Sequence, residues 1–208
     1  MKNIFFAIAC LICFKAIGQN ATTDFDGKKW EAPYQLDIPT GWDVERFLIP
    51  ISFAPAIPYH GVEDIRFTPG WGKIETNEYW SYAFLWYLDD KATIDPAIIE
   101  KNLTAYYTGL ININTDKTKT ATSKLPPVKA TIKTRSAEKG DLETFEGTVS
   151  MLDYMSRKPI ILNLIIHIKN CAAQNKTFVF HEVSPRPYNE SVWNSLHQLW
   201  TNFKCIKE

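Results

Sequence analysis

Between Trp80 and Leu88 every even position is large and apolar or aromatic (Trp80, Tyr82, Phe84, Trp86, Leu88), while the odd positions mix small and large residues. That period of two predicts a buried strand whose even face meets the core. Ile160 to Ile168 is apolar on both faces and predicts a central strand, with too few apolar residues for a membrane span. Val128 to Arg135 alternates cleanly: Val128, Ala130 and Ile132 face in, and Lys129, Thr131, Lys133 and Arg135 face out, so this strand is exposed on one side. Leu142 to Met155 and Phe178 to Val183 complete a run of strands, punctuated by Glu138-Lys139-Gly140-Asp141 and Arg157-Lys158-Pro159. Earlier in the chain, Tyr34, Leu36 and Ile38 alternate with polar residues. Pro39-Thr40-Gly41 then turns the chain into Trp42 to Phe47, and Ile65-Arg66-Phe67 is a further short strand. Pro50, Pro55 and Pro58 mark an extended surface loop between them.

Two segments carry helical spacing. Asp95-Pro96 is an N-terminal signal, because the carboxylate caps free amides and proline suits the first helical position; Ile99, Leu103, Tyr106 and Leu110 follow on one face, with Gly109 and Asn112 near the end. From Ser191 to Cys205, Trp193, Leu196, Trp200 and Phe203 form the apolar stripe of a second helix packed on a sheet. The sum is an α+β fold: an antiparallel sheet with a mid-chain helix and an amphipathic C-terminal helix packed on it.

The chain begins with an export signal. Lys2 supplies the positive region, Ile4 to Phe14 a short apolar core, and Ala16-Ile17-Gly18 the small residues, which predicts cleavage before Gln19. Residues 19–29 are polar and aperiodic and read as a flexible lead-in, and 30–208 as a single domain. Neither Cys10 nor Cys13 sits in a convincing lipobox. The expected location is therefore periplasmic or extracellular, with no transmembrane segment in the mature chain.

Composition narrows the function classes more than it names one. With 45% hydrophobic and 22% charged residues, and Trp 7, Tyr 9 and Phe 12, the chain has ample core. Removing Lys2 and Lys15 with the signal leaves 21 basic against 23 acidic residues, a formal charge of −2, which argues against nucleic acid as a partner held by bulk charge. The two cysteines left in the mature chain, Cys171 and Cys205, form either a disulfide suited to an oxidising compartment or two separate buried thiols.

Two resemblances rest on short motifs. The Leu36-Asp37-Ile38-Pro39-Thr40-Gly41-Trp42-Asp43-Val44 opening, the meander and the aromatic C-terminal helix resemble the PsbP and Mog1 group of α+β domains, which implies a sandwich architecture and lends no activity. Glu63-Asp64-Ile65-Arg66-Phe67-Thr68-Pro69-Gly70-Trp71 with Trp80-Ser81-Tyr82-Ala83-Phe84-Leu85-Trp86 is similar to a family of uncharacterised secreted bacterial proteins, with no functional residue to transfer.

The densest candidate chemistry lies from His60 to Trp80, where His60, Glu63, Asp64, Arg66 and Glu75 mix with Trp71, Tyr79 and Trp80 around a Pro-Gly turn. His60, Glu63, Arg66 and Trp71 are the candidate ligand-binding residues: Arg66 would pair an anionic group and Trp71 would stack on it. The alternative for Arg66 is a structural ion pair on an exposed strand face. His60 and Glu63 are three apart, a spacing that serves a metal on a helix, whereas Gly61 and the prolines argue for a loop, so no metal ligand is assigned there. His167 and His181 would face each other across a hairpin centred on Gln174 and begin a metal site or share a proton, with Asp153 or Glu146 as a third group; the alternative is a structural role for both. His197 reads as a partly exposed helix residue.

No Gly-x-Ser-x-Gly elbow, His-Glu-x-x-His or phosphate loop occurs, so no catalytic residue and no cofactor is assigned. The leading expectation is a non-enzymatic exported domain binding a small ligand or an envelope component. The alternatives are a small secreted hydrolase using scattered carboxylates (Glu63 with Glu75, or Glu143 with Glu146) or histidines, and a structural partner in an envelope assembly.

Overall fold

A seven-stranded antiparallel sheet carries a helix on each face, and the two-sided burial of its central strands follows from that arrangement. The computed structural model describes residues 25–115, 126–171 and 175–206. The predicted signal and its cleavage before Gln19 lie outside the described residues, as do most of the Thr- and Lys-rich run after the first helix and the hairpin tip at Gln174. The strands are β1 (Tyr34–Gln35), β2 (Asp43–Ile49), β3 (Gly61–Phe67), β4 (Tyr82–Leu88), β5 (Lys129–Arg135), β6 (Glu143–Asp153), β7 (Lys158–Cys171), β8 (Lys176–Ser184) and β9 (Lys204–Cys205), with helices α1 (Pro96–Asn114) and α2 (Ser191–Asn202). The large sheet runs β2-β3-β4-β8-β7-β6-β5, and β1 pairs with β9 in a separate two-stranded ribbon.

Strand parity decides which side chain meets which helix. Phe84 and Trp86 on β4, Leu164 and Ile166 on β7, and Val179 and Val183 on β8 join Leu103 and Tyr107 of α1 in one core. Leu85 of β4 and Phe178 and Phe180 of β8 point the other way, into a second core with Trp193, Leu196 and Trp200 of α2. The strands that alternate poorly in sequence are therefore those with a helix on both sides, whereas β5, at the sheet edge, buries Ala130 and Ile132 and exposes Lys129, Thr131 and Lys133.

The ends of α1 follow local chemistry. Asp95 Oδ1 accepts from the Ile98 amide at 2.8 Å, and Pro96 opens the helix. Gly109 has a packing role inside the helix: a Cβ there would lie 1.8 Å from the Phe53 carbonyl oxygen, so its absence lets the β2–β3 loop close on α1.

Several expectations need correction. The second helix stops at Asn202 and not at Cys205: Phe203 caps it and Lys204–Cys205 pairs with Tyr34–Gln35, so the terminal stripe residue Phe203 stays buried but packs from beyond the helix end. The strand expected over Tyr34 to Ile38 is regular only at Tyr34–Gln35, where β1 takes β9, while β2 beyond the turn takes β3. β3 begins at Gly61, four residues before the expected Ile65, because the loop reading of Glu63 and Asp64 is overridden by buried partners for both. Within the lead-in, residues 26–29 already form a turn, with the Gly27 carbonyl accepting from Arg46.

The Cys171 and Cys205 alternative resolves to a disulfide, with Cα atoms 5.8 Å apart and a sequence separation of 34. It ties the end of β7 to β9 just beyond α2. A loop of that size contributes about 3 to 4 kcal/mol by restricting the unfolded chain.

Candidate functional site

The candidate ligand-binding residues divide between the two faces of β3 and the ends of the strand. Odd residues of β3 face α1, so Glu63, Ile65 and Phe67 share that side with their neighbours Phe47 and Glu45 on β2. Even residues face away, and there Arg66 is 1% exposed and its guanidinium is fully engaged: it donates to both oxygens of Asp64, to the Asp37 carbonyl at 3.0 Å and to the Leu36 carbonyl at 3.2 Å. Arg46 also donates to Asp64 at 2.8 Å, and the Tyr34 hydroxyl at 3.1 Å. Arg66 is thus the structural ion pair of the alternative reading, buried and not exposed, with no free donor turned toward Trp71. His60 is exposed just before β3, at the end of the strand opposite Trp71. The structure therefore does not bring His60, Glu63, Arg66 and Trp71 into one cleft.

Trp71 does line a cleft, on the α1 face. The cavity has a volume of about 310 Å³ between β2–β4 and the C-terminal half of α1, and its lining includes Phe47, Phe53, Trp71, Tyr82, Tyr106 and Tyr154. Trp71 stacks on Phe67 with ring centroids 4.6 Å apart and meets Trp80 edge-on at 6.1 Å. Leu110 and Ile113 of α1 close one wall, and Ile113 is 61% exposed at its lip. Among the lining residues Glu45 alone carries a formal charge. A second depression of about 410 Å³, between Asp37–Trp42 and α2, has Trp42 as its one aromatic ring and is otherwise lined largely by polar side chains.

Glu63 lies beneath the cleft and holds its wall. Its carboxylate accepts from the Tyr106 hydroxyl at 2.7 Å and from Trp86 Nε1 at 2.9 Å. Burial, opposed by those two donors, pushes its pKa up from 4.5 to about 8, so Glu63 is largely a neutral acid at pH 7. Glu63 thus contributes to the cleft by positioning Tyr106.

A second constellation lies under α2. His167 is 0% exposed between two acids: Nδ1 is 2.7 Å from Asp141 Oδ2 and Nε2 is 3.1 Å from Glu182 Oε1. The same Glu182 oxygen lies 3.0 Å from Nδ1 of His197. Asp141 is held in turn by Thr144 Oγ1 at 2.7 Å and Trp200 Nε1 at 2.8 Å. Against its desolvation, the hydrogen bonds to Asp141 and Glu182 raise the His167 pKa to about 9.

His181 takes no part. β7 and β8 pair His167 with Phe180 and Ile166 with His181, one residue off the register centred on Gln174, so the two imidazoles point to opposite faces of the sheet. His181 is buried against Phe84, its ring stacked at 4.0 Å, and desolvation lowers its pKa to about 3, which keeps it neutral. The proposed third groups are placed elsewhere: Asp153 accepts from Tyr79 at 2.6 Å, and Glu146 pairs with Lys133 at 2.8 Å. The carboxylates that do meet His167 come from the β5–β6 turn and from the residue after His181. The disulfide offers the missing sequence signal, because a Cys171 that reaches past α2 puts every odd residue of β7, His167 among them, on the α2 face.

No family model matches the chain, and no curated protein matches it in sequence. Among solved structures the chain is similar to LpqN, a protein involved in cell envelope biogenesis of Mycobacterium tuberculosis, at 12% identity and a TM-score of 0.32, with 82% of each chain covered. Likeness of that extent carries nothing over to this chain's function. Among the described residues no helix is long and apolar enough to cross a membrane.

Proposed function

We propose that this is an exported, non-enzymatic binding protein whose aromatic cleft at Trp71 takes a small, mostly apolar ligand that is neutral or cationic. The cleft itself carries the reading: about 310 Å³ of space walled by aromatic rings is of the size and character of small-ligand sites. Its charge then selects among ligands. Glu45 and the negative faces of the rings favour a cation or a neutral group over an anion, and the one arginine expected to attract an anion is occupied on the opposite face of the sheet. Export is supported by the leader sequence and by the Cys171–Cys205 disulfide, which suits an oxidising compartment.

The test uses fluorescent probes of one ring system and different charge, N-phenyl-1-naphthylamine as the neutral probe and 1-anilinonaphthalene-8-sulfonate as the anionic one. Saturable binding of the neutral probe, at least tenfold tighter than the anionic probe, supports the reading. Equal affinity, or a preference for the sulfonate, overturns the selection attributed to Glu45.

A further inference from the structure

The histidine and carboxylate cluster under α2 has the two layers of a metal site. Three ligand-type atoms, from Glu138, His167 and His197, lie within 4.8 Å of one another. His197 Nε2 is 3.5 Å and His167 Nδ1 is 4.0 Å from the same atom, Glu138 Oε2. Ligand atoms around a four-coordinate zinc-class ion sit about 3.3 Å apart, given bonds of about 2.0 Å, so small side-chain movements would close the set.

The opposite nitrogens of the two rings supply the independent observation. His197 Nδ1 and His167 Nε2 both converge on one oxygen of Glu182, at 3.0 and 3.1 Å. A carboxylate that receives the far N–H of a ligating imidazole fixes its tautomer and aims the other nitrogen at the ion. Glu182 does this for both rings at once. It is 0% exposed, and its other oxygen, Oε2, is buried with no hydrogen-bond partner among the described residues. A buried carboxylate oxygen left without a partner is unfavourable unless positive charge lies nearby.

The remaining neighbours fit a cation. Asp141 Oδ2, 2.7 Å from His167 Nδ1, adds a carboxylate beside the rings. Arg135 lies 3.5 Å from Glu138 Oε1, leaving Oε2 to face the rings, and Lys169 is drawn aside over the Trp200 ring at 4.2 Å. Three carboxylates thus outnumber the two fixed cations around the rings. His197 is 43% exposed and Glu138 27% exposed, which gives an ion a route in from solvent.

We propose that Glu138, His167 and His197, oriented by Glu182 and with water in the fourth position, bind one divalent transition-metal ion of the zinc class. Two imidazole nitrogens with carboxylate oxygens suit zinc or cobalt, whereas calcium and magnesium favour oxygen-only sets. In the metal-free protein His167 Nδ1 faces Asp141 Oδ2 at 2.7 Å, and binding the ion replaces that contact.

The test is a titration of the chelator-stripped protein with Co²⁺, read by visible absorption and calorimetry. The expected result is one equivalent bound with the intense bands of a four-coordinate ion, displaced by Zn²⁺. His197→Gln and Glu138→Gln, both at partly exposed side chains, should each weaken binding at least tenfold while the far-ultraviolet dichroism of the metal-free protein is unchanged. Glu182→Gln should weaken it by roughly 10- to 100-fold, and His60→Gln, remote from the cluster, should leave it unchanged. Absence of stoichiometric four-coordinate binding, or full binding by both His197→Gln and Glu138→Gln, overturns the proposal.

Discussion

The Tyr106 hydroxyl lies 2.7 Å from Glu63 Oε1, so a ring of the cleft wall is tied to an acid buried beneath it. This couples the protein's stability to pH with a definite sign. Burial raises the Glu63 pKa from 4.5 to about 8, so between those values the folded protein holds a proton that the unfolded chain releases. Its contribution is complete below about pH 4.5 and is lost as pH rises through about 8. The size is on the order of a few kcal/mol. Glu63→Gln, which stays neutral and can still accept from Trp86, should flatten this dependence and exceed the wild type in stability above pH 8. Denaturant unfolding at pH 5, 7 and 9 measures it, and parallel curves for the two proteins would refute it.

Arg66→Ala separates structure from binding. It leaves Asp64 buried with Arg46 and Tyr34 as partners, and loss of one member of a buried pair destabilises by about 3 to 5 kcal/mol. Because Arg66 faces away from the cleft, the folded variant should bind a neutral apolar probe as the wild type does. A tenfold weaker affinity measured well below its melting temperature would put Arg66 back in the binding site.

Gly109→Ala should destabilise, although alanine in an ordinary helix interior is favoured over glycine by about 1 kcal/mol. The new methyl would meet the Phe53 carbonyl at 1.8 Å and push out the loop that forms part of the cleft wall. The variant is expected to melt several degrees lower and to bind the probe more weakly. An unchanged or raised melting temperature would show that the loop yields at no cost.

Reduction of Cys171–Cys205, or Cys205→Ser at its exposed end, should lower stability by about 3 to 4 kcal/mol and fray the β1–β9 ribbon first. Hydrogen exchange at Tyr34 and Gln35 is the readout, with faster exchange there than in β4 as the expected result.

Much of this fold is legible in the sequence because its signals are local. Asp95-Pro96 announces α1, the alternation in β5 states that one of its faces is exposed, and the Trp193, Leu196, Trp200 stripe identifies α2. Pairing across the chain is less legible. Glu63 and Asp64 look like loop residues until Tyr106, Trp86 and Arg46 arrive from distant segments to satisfy them. The histidine cluster depends on a register, and a one-residue shift in the β7–β8 pair moves His181 to the other face and brings Glu182 to His167. Trp71 is recognisable as a ligand-site residue from its aromatic, turn-rich surroundings, but its companions Phe53, Leu110 and Tyr154 come from a loop, a helix and a turn that the sequence does not place together.

The central claim is that the Trp71 cleft binds, and the most direct test is a titration of N-phenyl-1-naphthylamine into the wild type and into Leu110→Trp, which fills the cleft from the α1 wall. Saturable one-to-one binding by the wild type, lost in Leu110→Trp while its far-ultraviolet dichroism is unchanged, is the predicted result. No saturable binding by the wild type, or equal binding by a folded Leu110→Trp, would contradict the account.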